Sequence, residues 1–191
     1  MYSGVMDADV TRLERFLDTI EHGDKPDDLA NVTGLERWAG AGTGRASRDD
    51  LARALKLRGA LRLVLGDPLA PESRGRLAKA TEPFTLRAGD PSVGERPLVP
   101  IGAGMHAALG RVVADFANAR ATGAIDRLKL CANCGWAFID ESRNRSRRWC
   151  EMASCGNQSK VRAYRSRRRT AQSTSRAPSR SAATDEVATG V

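Results

Sequence analysis

Four cysteines lie within one short stretch and offer the clearest chemistry in the sequence. Two residues separate the first pair, fifteen residues follow, and four residues separate the second pair; the cysteines are Cys131, Cys134, Cys150 and Cys155. Zn²⁺ binds four sulfur ligands in a tetrahedron, and each closely spaced pair can supply two of them once a loop brings the pairs together. Because four thiolates leave no position for a reactive water, this spacing predicts a structural Zn²⁺ site rather than a hydrolytic one.

Two other uses of these cysteines fit the sequence less well. Cys131 and Cys134 could form a redox pair, but no βαβ pattern of the thioredoxin type surrounds them. Four buried free thiols would need a larger apolar segment than the short, charged stretch of residues 131–155. The N-terminus lacks an export signal, so we expect a cytoplasmic protein, in whose reducing surroundings metal ligation is commoner than disulfide bonding.

The residues around the cysteines predict a knuckle, a β-hairpin and a helix, as in treble-clef zinc folds. Gly135 suits the tight turn after the second sulfur, and residues 136–139 predict a strand whose return strand is residues 147–150. Asn157 is predicted to cap a helix that ends at Arg169, so that the second cysteine pair lies at the start of this helix. A module of this size has a small core, and we expect its aromatic residues to pack around the metal.

Charge is distributed unevenly along the chain, whose formal net charge is +8. Residues 127–180 carry 14 basic and 3 acidic side chains, whereas residues 1–126 carry 17 basic and 18 acidic ones. This asymmetry predicts a polyanionic partner for the basic part, with nucleic acid first and an anionic membrane surface second. A solvated, arginine-rich surface without a partner is the alternative.

Arginine dominates this basic part, and its planar guanidinium can bind a phosphate or a guanine edge through two hydrogen bonds. On the predicted helix Arg162, Arg165 and Arg169 share one face, while Val161 and Tyr164 are predicted to pack inward. The helix would enter the major groove of duplex DNA while the hairpin arginines hold the backbone. The predicted nucleic-acid contacts are Arg143, Arg145, Arg147, Arg148, Lys160, Arg162, Arg165, Arg168 and Arg169.

The first 126 residues predict a mostly helical domain. An apolar stripe at helical spacing predicts the first helix and consists of Val10, Leu13, Phe16, Leu17 and Ile20. Thr33 and Glu36 form a capping-box pattern at the start of a short second helix. Ser47 or Asp49 is predicted to cap a longer third helix.

A small β-hairpin and a long helix are predicted in the second half of this domain. Residues 84–87 and 98–101 predict the two strands of the hairpin, and residues 102–121 predict the helix. The sequence thus predicts an α+β fold that is mostly α. It consists of a helical N-terminal domain with a small hairpin, followed by a treble-clef-like four-cysteine zinc finger.

Nothing in the N-terminal part predicts an enzyme. We find no nucleophile–base pair, no carboxylate dyad and no phosphate loop, and Asp115 and Asp126 have no recognisable partners. The Gly-rich residues 40–44 lack the Lys-Ser/Thr pair of a Walker loop and predict a turn. We therefore expect no catalytic residues, and a domain that forms homo-oligomers or senses a small-molecule signal. No apolar run approaches the ~18 residues of a membrane-spanning helix, so we expect no membrane partner.

Two stretches of the finger carry a resemblance to a known family. Residues 130–140 read LCANCGWAFID, and residues 142–157 read SRNRSRRWCEMASCGN. Both resemble the CGNR zinc finger, whose pattern closes on Cys-Gly-Asn-Arg before a basic helix. Gln158 replaces the closing Arg here, and the first knuckle has a shorter spacer than in many members. We expect the metal site to tolerate both differences.

Fingers of this family usually follow an N-terminal domain called ABATE, described as a stress-induced transcription regulator. Residues 16–20, FLDTI, and residues 35–38, LERW, are similar to its opening pattern. The resemblance implies a bacterial, zinc-dependent, DNA-binding transcription regulator. Its parts would be an ABATE-like helical domain at residues 1–126, the finger with its basic helix at 127–170, and a tail at 171–191 whose composition predicts disorder.

A different function fits the same finger. An RNA- or protein-interaction module with a purely structural zinc site is the alternative to a DNA-binding regulator. Exposed Trp136 and Trp149 side chains would favour single-stranded nucleic acid, because unpaired bases stack on aromatic rings.

Overall fold

The computed structural model describes residues 3–175 and confirms a mostly α fold with two small antiparallel sheets. The helices of this part are α1 Ser3–Leu17, α2 Val32–Ala39, α3 Arg48–Gly66, α4 Pro71–Thr81, α5 Gly104–Ala121 and α6 Asn157–Ser175. The strands are β1 Leu86–Ala88, β2 Leu98–Pro100, β3 Leu128–Leu130 and β4 Ala137–Ile139. No helix within residues 3–175 has the length and apolar character that crossing a bilayer requires.

The C-terminal helix is longer than the sequence predicts. It continues past Arg169, where the predicted helix ends, to Ser175, so residues 171–175 of the predicted tail are helical rather than disordered. The rest of the predicted disordered tail, residues 176–191, lies outside the described residues.

One hydrophobic core joins α1, α3 and α5. The predicted stripe of α1 is confirmed, since Leu13, Phe16 and Leu17 are fully buried, whereas Ile20 lies beyond the end of the helix. Helix α3 contributes Leu57 to this core and α5 contributes Leu109, both also fully buried. Burying such side chains supplies the main favourable term in folding.

The capping residues agree with the sequence at α3 and differ at α2. The Ser47 Oγ accepts the backbone N–H of Asp50, whose carboxylate accepts the Ser47 N–H, so the predicted cap is part of a complete capping box. The prediction for Thr33 is wrong. Asn31 has the extended backbone of a cap, and its side chain accepts the Gly34 N–H at 2.9 Å. Glu36 turns away from the cap and accepts the Ala46 N–H, which ties the following turn to α2.

The predicted hairpin is present and lies against α5. Strands β1 and β2 pair in antiparallel register, with Leu86 opposite Pro100. The buried Asn118 side chain of α5 accepts the Leu98 N–H at 3.1 Å and donates to the Leu98 carbonyl at 3.2 Å. The amide side chain of Asn118 thus makes the hydrogen bonds to β2 that a third strand would otherwise make.

A buried carboxylate pair was missed by the sequence analysis. Asp115, which has no recognisable partner in the sequence, lies beside Asp9, and both are buried. Arg12 approaches Asp115 at 3.3 Å, and Arg96 pairs with Asp9. Burial and the hydrogen bond with Asp9 raise the pKa of Asp115 to about 8, so the pair holds a proton at neutral pH.

The second acidic residue without an expected partner also has one. Asp126 forms an ion pair with Arg145 at 3.7 Å, between the end of the N-terminal domain and the finger. Both side chains are largely exposed, so this pair contributes little to stability.

We predict that the Asp9–Asp115 pair makes the protein less stable as pH rises. Native Asp115 keeps its proton to about pH 8, whereas an unfolded aspartate loses it near its ordinary pKa of 3.8, so the free energy of unfolding falls between these values. In Asp115→Asn this fall should lessen, by up to about 1.4 kcal/mol per pH unit. Urea unfolding from pH 5 to pH 8 measures it. Asp126→Asn is the matched control, and parallel profiles for Asp115→Asn and wild type would contradict the prediction.

Candidate metal centre

The first two cysteines lie in a knuckle between two paired strands. Strands β3 and β4 flank the knuckle, and Leu130 pairs with Ala137 immediately outside it. The Cys131 N–H donates to the Trp136 carbonyl, and the Gly135 N–H donates to the Cys131 carbonyl, both at 2.8 Å. Gly135 has a φ of +76°, which favours glycine, as the predicted tight turn requires.

The predicted return strand at residues 147–150 is wrong, and the occupied edges of β4 explain why. Its pairing partner is β3, upstream of the knuckle. On the other edge the Ala137 N–H donates to Asp18 at 2.7 Å and the Ile139 N–H donates to Glu14 at 3.2 Å. With both edges taken, residues 147–150 have no strand to pair with.

The loop between the two cysteine pairs is organised by Asp140 instead. This carboxylate is fully buried and accepts hydrogen bonds from Lys129 Nζ at 2.6 Å, from the Ser142 hydroxyl at 2.6 Å and from the Arg147 N–H at 2.9 Å. Burial alone would raise the pKa of Asp140, but these bonds outweigh it and lower the pKa. The sequence offers one local signal of this role, Ser142 two residues after Asp140, which is typical of an Asx turn.

The second pair of cysteines lies where the loop enters α6. Cys155 belongs to a π-helical turn, Met152–Gly156, in which the Gly156 N–H donates to the Glu151 carbonyl at 3.1 Å. This turn leads directly into α6, so the prediction that a ligand pair starts the helix is confirmed. The predicted cap at Asn157 is wrong, because Asn157 already has helical backbone angles and its side chain donates to the Ala153 carbonyl.

The four sulfur atoms converge on one point. All lie within 4.8 Å of one another, and Cys150 Sγ is 3.7 Å from both Cys134 Sγ and Cys155 Sγ. A Zn²⁺ ion with Zn–S bonds of about 2.3 Å spaces its sulfurs about 3.8 Å apart along the edges of a tetrahedron. The donor set and its spacing therefore fit a four-thiolate zinc site, formed by the predicted residues.

The surroundings of the thiols suit metal binding. Burial disfavours a thiolate at Cys131, but hydrogen bonds from the backbone of Cys134, Cys150 and Asn133 outweigh it and lower the pKa to about 6. Burial raises the pKa of Cys134 to about 11 and also raises the pKa of Cys150. Without an ion the cluster therefore holds one thiolate more readily than four, and a divalent cation is what would stabilise the full set.

Leu128 and Ala137 of the finger belong to the same hydrophobic core as α1 and α3, and polar contacts that the sequence does not reveal also join the finger to the N-terminal domain. Besides the contacts of Asp18 and Glu14 to β4, Arg62 of α3 donates to the Gly135 carbonyl at 2.6 Å and to the Leu17 carbonyl at 3.1 Å. Burial raises the pKa of Asp18 to about 7 and also raises the pKa of Glu14. These residues are more than 70 positions from the backbone groups they bind in the finger, which leaves no local pattern in the sequence.

The predicted nucleic-acid contacts form two groups, one in the loop between the two cysteine pairs and one on α6. The loop group is exposed but partly engaged, since Arg147 lies over Phe138 at 5.1 Å and Arg148 lies over Trp149 at 5.7 Å. The helix group lies on α6, where all side chains from residue 160 to 170 are exposed. The inward packing predicted for two α6 residues is wrong, because the neighbouring domain does not reach them: Val161 is 46 % exposed and Tyr164 is 58 % exposed.

Gln158, which stands where the family pattern has Arg, contacts the knuckle. Its side-chain Oε1 accepts a hydrogen bond from Asn133 Nδ2 at 3.1 Å, and Arg162 donates to the side-chain Oδ1 of Asn133 at 2.9 Å. The first turns of α6 are thus joined to the loop between Cys131 and Cys134. A substitution that could have removed a nucleic-acid contact instead supports the position of the helix.

We predict that the purified protein binds one Zn²⁺ ion per chain and that Cys155→Ala abolishes this. Removing one ligand opens the tetrahedron, and metal binding in such modules contributes about 10–16 kcal/mol to folding. Elemental analysis gives the stoichiometry, and thermal unfolding with and without a chelator gives the stability. Ser146→Ala, in the same finger, should leave both unchanged. A finger that keeps its fold while metal-free would contradict the prediction.

We also predict that Asp18→Ala weakens the joint between domain and finger. It leaves the buried Ala137 N–H without an acceptor, which should lower the free energy of unfolding by about 1–3 kcal/mol. Asp18→Asn keeps an oxygen at the same place and should cost less. Chemical unfolding of the zinc-loaded variants measures both, and equal losses would show that this hydrogen bond is unimportant.

Comparison with known proteins finds a family for the C-terminal segment and none for the rest of the chain. The comparison with curated proteins gives no match for this chain. Residues 127–168 match the CGNR zinc finger, a span that includes β3, the knuckle, β4, all four cysteines and most of α6. The resemblance of residues 1–126 to ABATE stays a prediction, whereas the C-terminal segment is similar in sequence to the CGNR zinc finger and brings four cysteines together as a possible metal site.

Proposed function

We propose that this protein is a zinc-dependent transcription regulator that binds duplex DNA through its finger and α6. The observation that carries the proposal is the exposure of a strongly basic helix. Helix α6 contains six basic residues and no acidic one, and its side chains from residue 160 to 170 are all exposed. Such a concentration of positive charge attracts a polyanion.

Most cations of α6 are free to bind phosphate. Within residues 3–175 no carboxylate pairs with Lys160, Arg165, Arg167, Arg168 or Arg169. An arginine already engaged by a carboxylate would lose that pair on binding DNA, and these residues have none to lose among the described side chains. The guanidinium groups of the four arginines suit bidentate contacts to phosphate and guanine, and the Lys160 ammonium adds a point charge.

The metal centre would set the direction of this helix. Cys155 immediately precedes α6, and the Asn133 contacts to Gln158 and Arg162 join the helix to the knuckle. The exposed loop arginines, including Arg143 and Arg148, follow the same knuckle and would contact the backbone beside the groove. An ion that fixes both segments would present them together to one duplex.

The alternatives differ in the support they receive. Stacking of single-stranded RNA on Trp136 is disfavoured, because His22 lies 4.5 Å from its ring and Lys25 lies 5.1 Å from it. Trp149 is half-buried against the cysteine cluster. A protein partner has one specific support, the exposed Val161 and Tyr164 side chains on α6.

The ABATE assignment of residues 1–126, a cytoplasmic location and the lack of catalytic activity belong to this proposal. A four-thiolate site offers no open coordination position for a substrate or a reactive water. The N-terminal domain would then pass a signal to the finger through the contacts of Asp18, Glu14 and Arg62.

The test is a salt series of DNA binding with a matched pair of variants. If α6 contacts phosphates, log K should fall with log salt by about 0.9 per phosphate neutralised. Changing Arg165, Arg168 and Arg169 together to Ala should weaken binding and reduce this slope by about 2 to 3. These three side chains are exposed and form no ion pair with a carboxylate within residues 3–175, so the finger should keep its fold.

The control variant removes three positive charges from the N-terminal domain instead of from α6. Arg45, Arg74 and Arg111 are exposed in the N-terminal domain, and their joint change to Ala lowers the net charge equally. It should leave the slope nearly unchanged. Equal losses in both triple variants would contradict the assigned helix. Tighter binding of single-stranded RNA than of duplex DNA would favour the alternative.

A further inference from the structure

A cavity of about 380 Å³ lies between the N-terminal domain and the finger. Two indole side chains line it, Trp38 from α2 and Trp136 from the finger. Its remaining charged walls come from α1, from α2 and from the loop between them. They are Arg15, Asp18, Lys25, Asp28 and Arg37.

Pairing among these charges leaves two arginines available. Lys25 forms an ion pair with Asp28 at 2.9 Å, and Asp18 accepts the Ala137 N–H. Arg15 and Arg37 are exposed, and within residues 3–175 neither has a carboxylate partner. The cavity therefore has unmatched positive charge beside aromatic walls.

The cavity is held open by contacts that involve neither arginine. Arg58 is buried and binds Asp27 through two hydrogen bonds of 2.8 Å and 2.7 Å, which anchors the loop that carries Lys25. Gly34 allows this loop to approach α2, since a Cβ there would lie 1.7 Å from the Asp28 carbonyl oxygen. A preformed cavity of this kind is typical of small-molecule sites, and its volume is near their lower limit.

We propose that this cavity binds a small aromatic carboxylate of one or two rings, held by Arg15 and Arg37 at its anionic end and packed against Trp38 and Trp136 along its apolar side. Guanidinium groups bind carboxylates through two charge-assisted hydrogen bonds. His22 already lies against the ring of Trp136, and Phe16 lies against that of Trp38, so the ligand contacts the remaining indole surface that lines the cavity. A singly charged carboxylate fits better than a phosphate ester, because Asp18 and Asp28 also line the cavity and repel a second negative charge more strongly.

Such a ligand would contact both halves of the protein. Trp136 follows Cys134 by two residues, and its neighbour Ala137 is the residue whose N–H binds Asp18. A molecule between Trp38 and Trp136 would therefore stabilise the docked finger by mass action. This proposal does not depend on which nucleic acid the finger binds.

The test is calorimetric titration of the zinc-loaded, full-length protein with 2-naphthoate. We expect saturable binding to one site per chain. 2-Naphthalenemethanol, which has the same ring but no charge, and acetate, which has the charge but no ring, should each bind at least about tenfold more weakly.

Three variants locate the site. Arg37→Gln and Arg15→Gln should each weaken 2-naphthoate binding about tenfold, whereas Arg111→Gln, an exposed arginine of α5 outside the cavity, should leave it unchanged. The proposal is overturned by the absence of saturation at millimolar concentrations. It is equally overturned if all three variants bind alike or if the alcohol binds as tightly as the carboxylate.

Discussion

Convergence of four sulfur atoms from two separate segments is the constraint on which the C-terminal half of this protein depends. Strands β3 and β4 have three residues each, too few to be stable as an isolated hairpin. The second pair of cysteines has no sheet of its own and lies in a loop and a π-helical turn. A tetrahedral ion bound by the four sulfurs would join these weak elements and, through Cys155, fix where α6 begins.

Attachment of the finger to the helical domain is the second requirement. Two acidic side chains from α1 take the N–H groups that β4 would otherwise offer to a further strand, and Arg62 takes a carbonyl at the turn. Each of these contacts is directional and partly buried, so together they orient the finger rather than merely tethering it. The cavity beside Trp136 exists because of this orientation.

The sequence reveals the local features of this structure and conceals the distant ones. The spacing within each cysteine pair, the Ser47 cap and the stripe of α1 involve residues a few positions apart. As expected, the cysteines converge, the cap is present and most of the stripe is buried. The return strand fails because Asp18, more than a hundred residues away, lies along the edge it would need. The Asp9–Asp115 pair escapes notice for the same reason, since tertiary packing alone brings these residues together. The DNA contacts stay a prediction, because charge indicates a polyanion without identifying it.

Most of α6 extends away from the rest of the described structure, and this affects the free energy of nucleic-acid binding. Beyond its first turns the helix has no packing partner among the described residues, and short isolated helices are marginal in water. Its arginines also repel one another at helical spacing, which opposes the helical state. Phosphates along a groove would relieve that repulsion, so binding of nucleic acid and ordering of α6 would be thermodynamically coupled. The free-energy cost of ordering the helix would then reduce the net binding free energy.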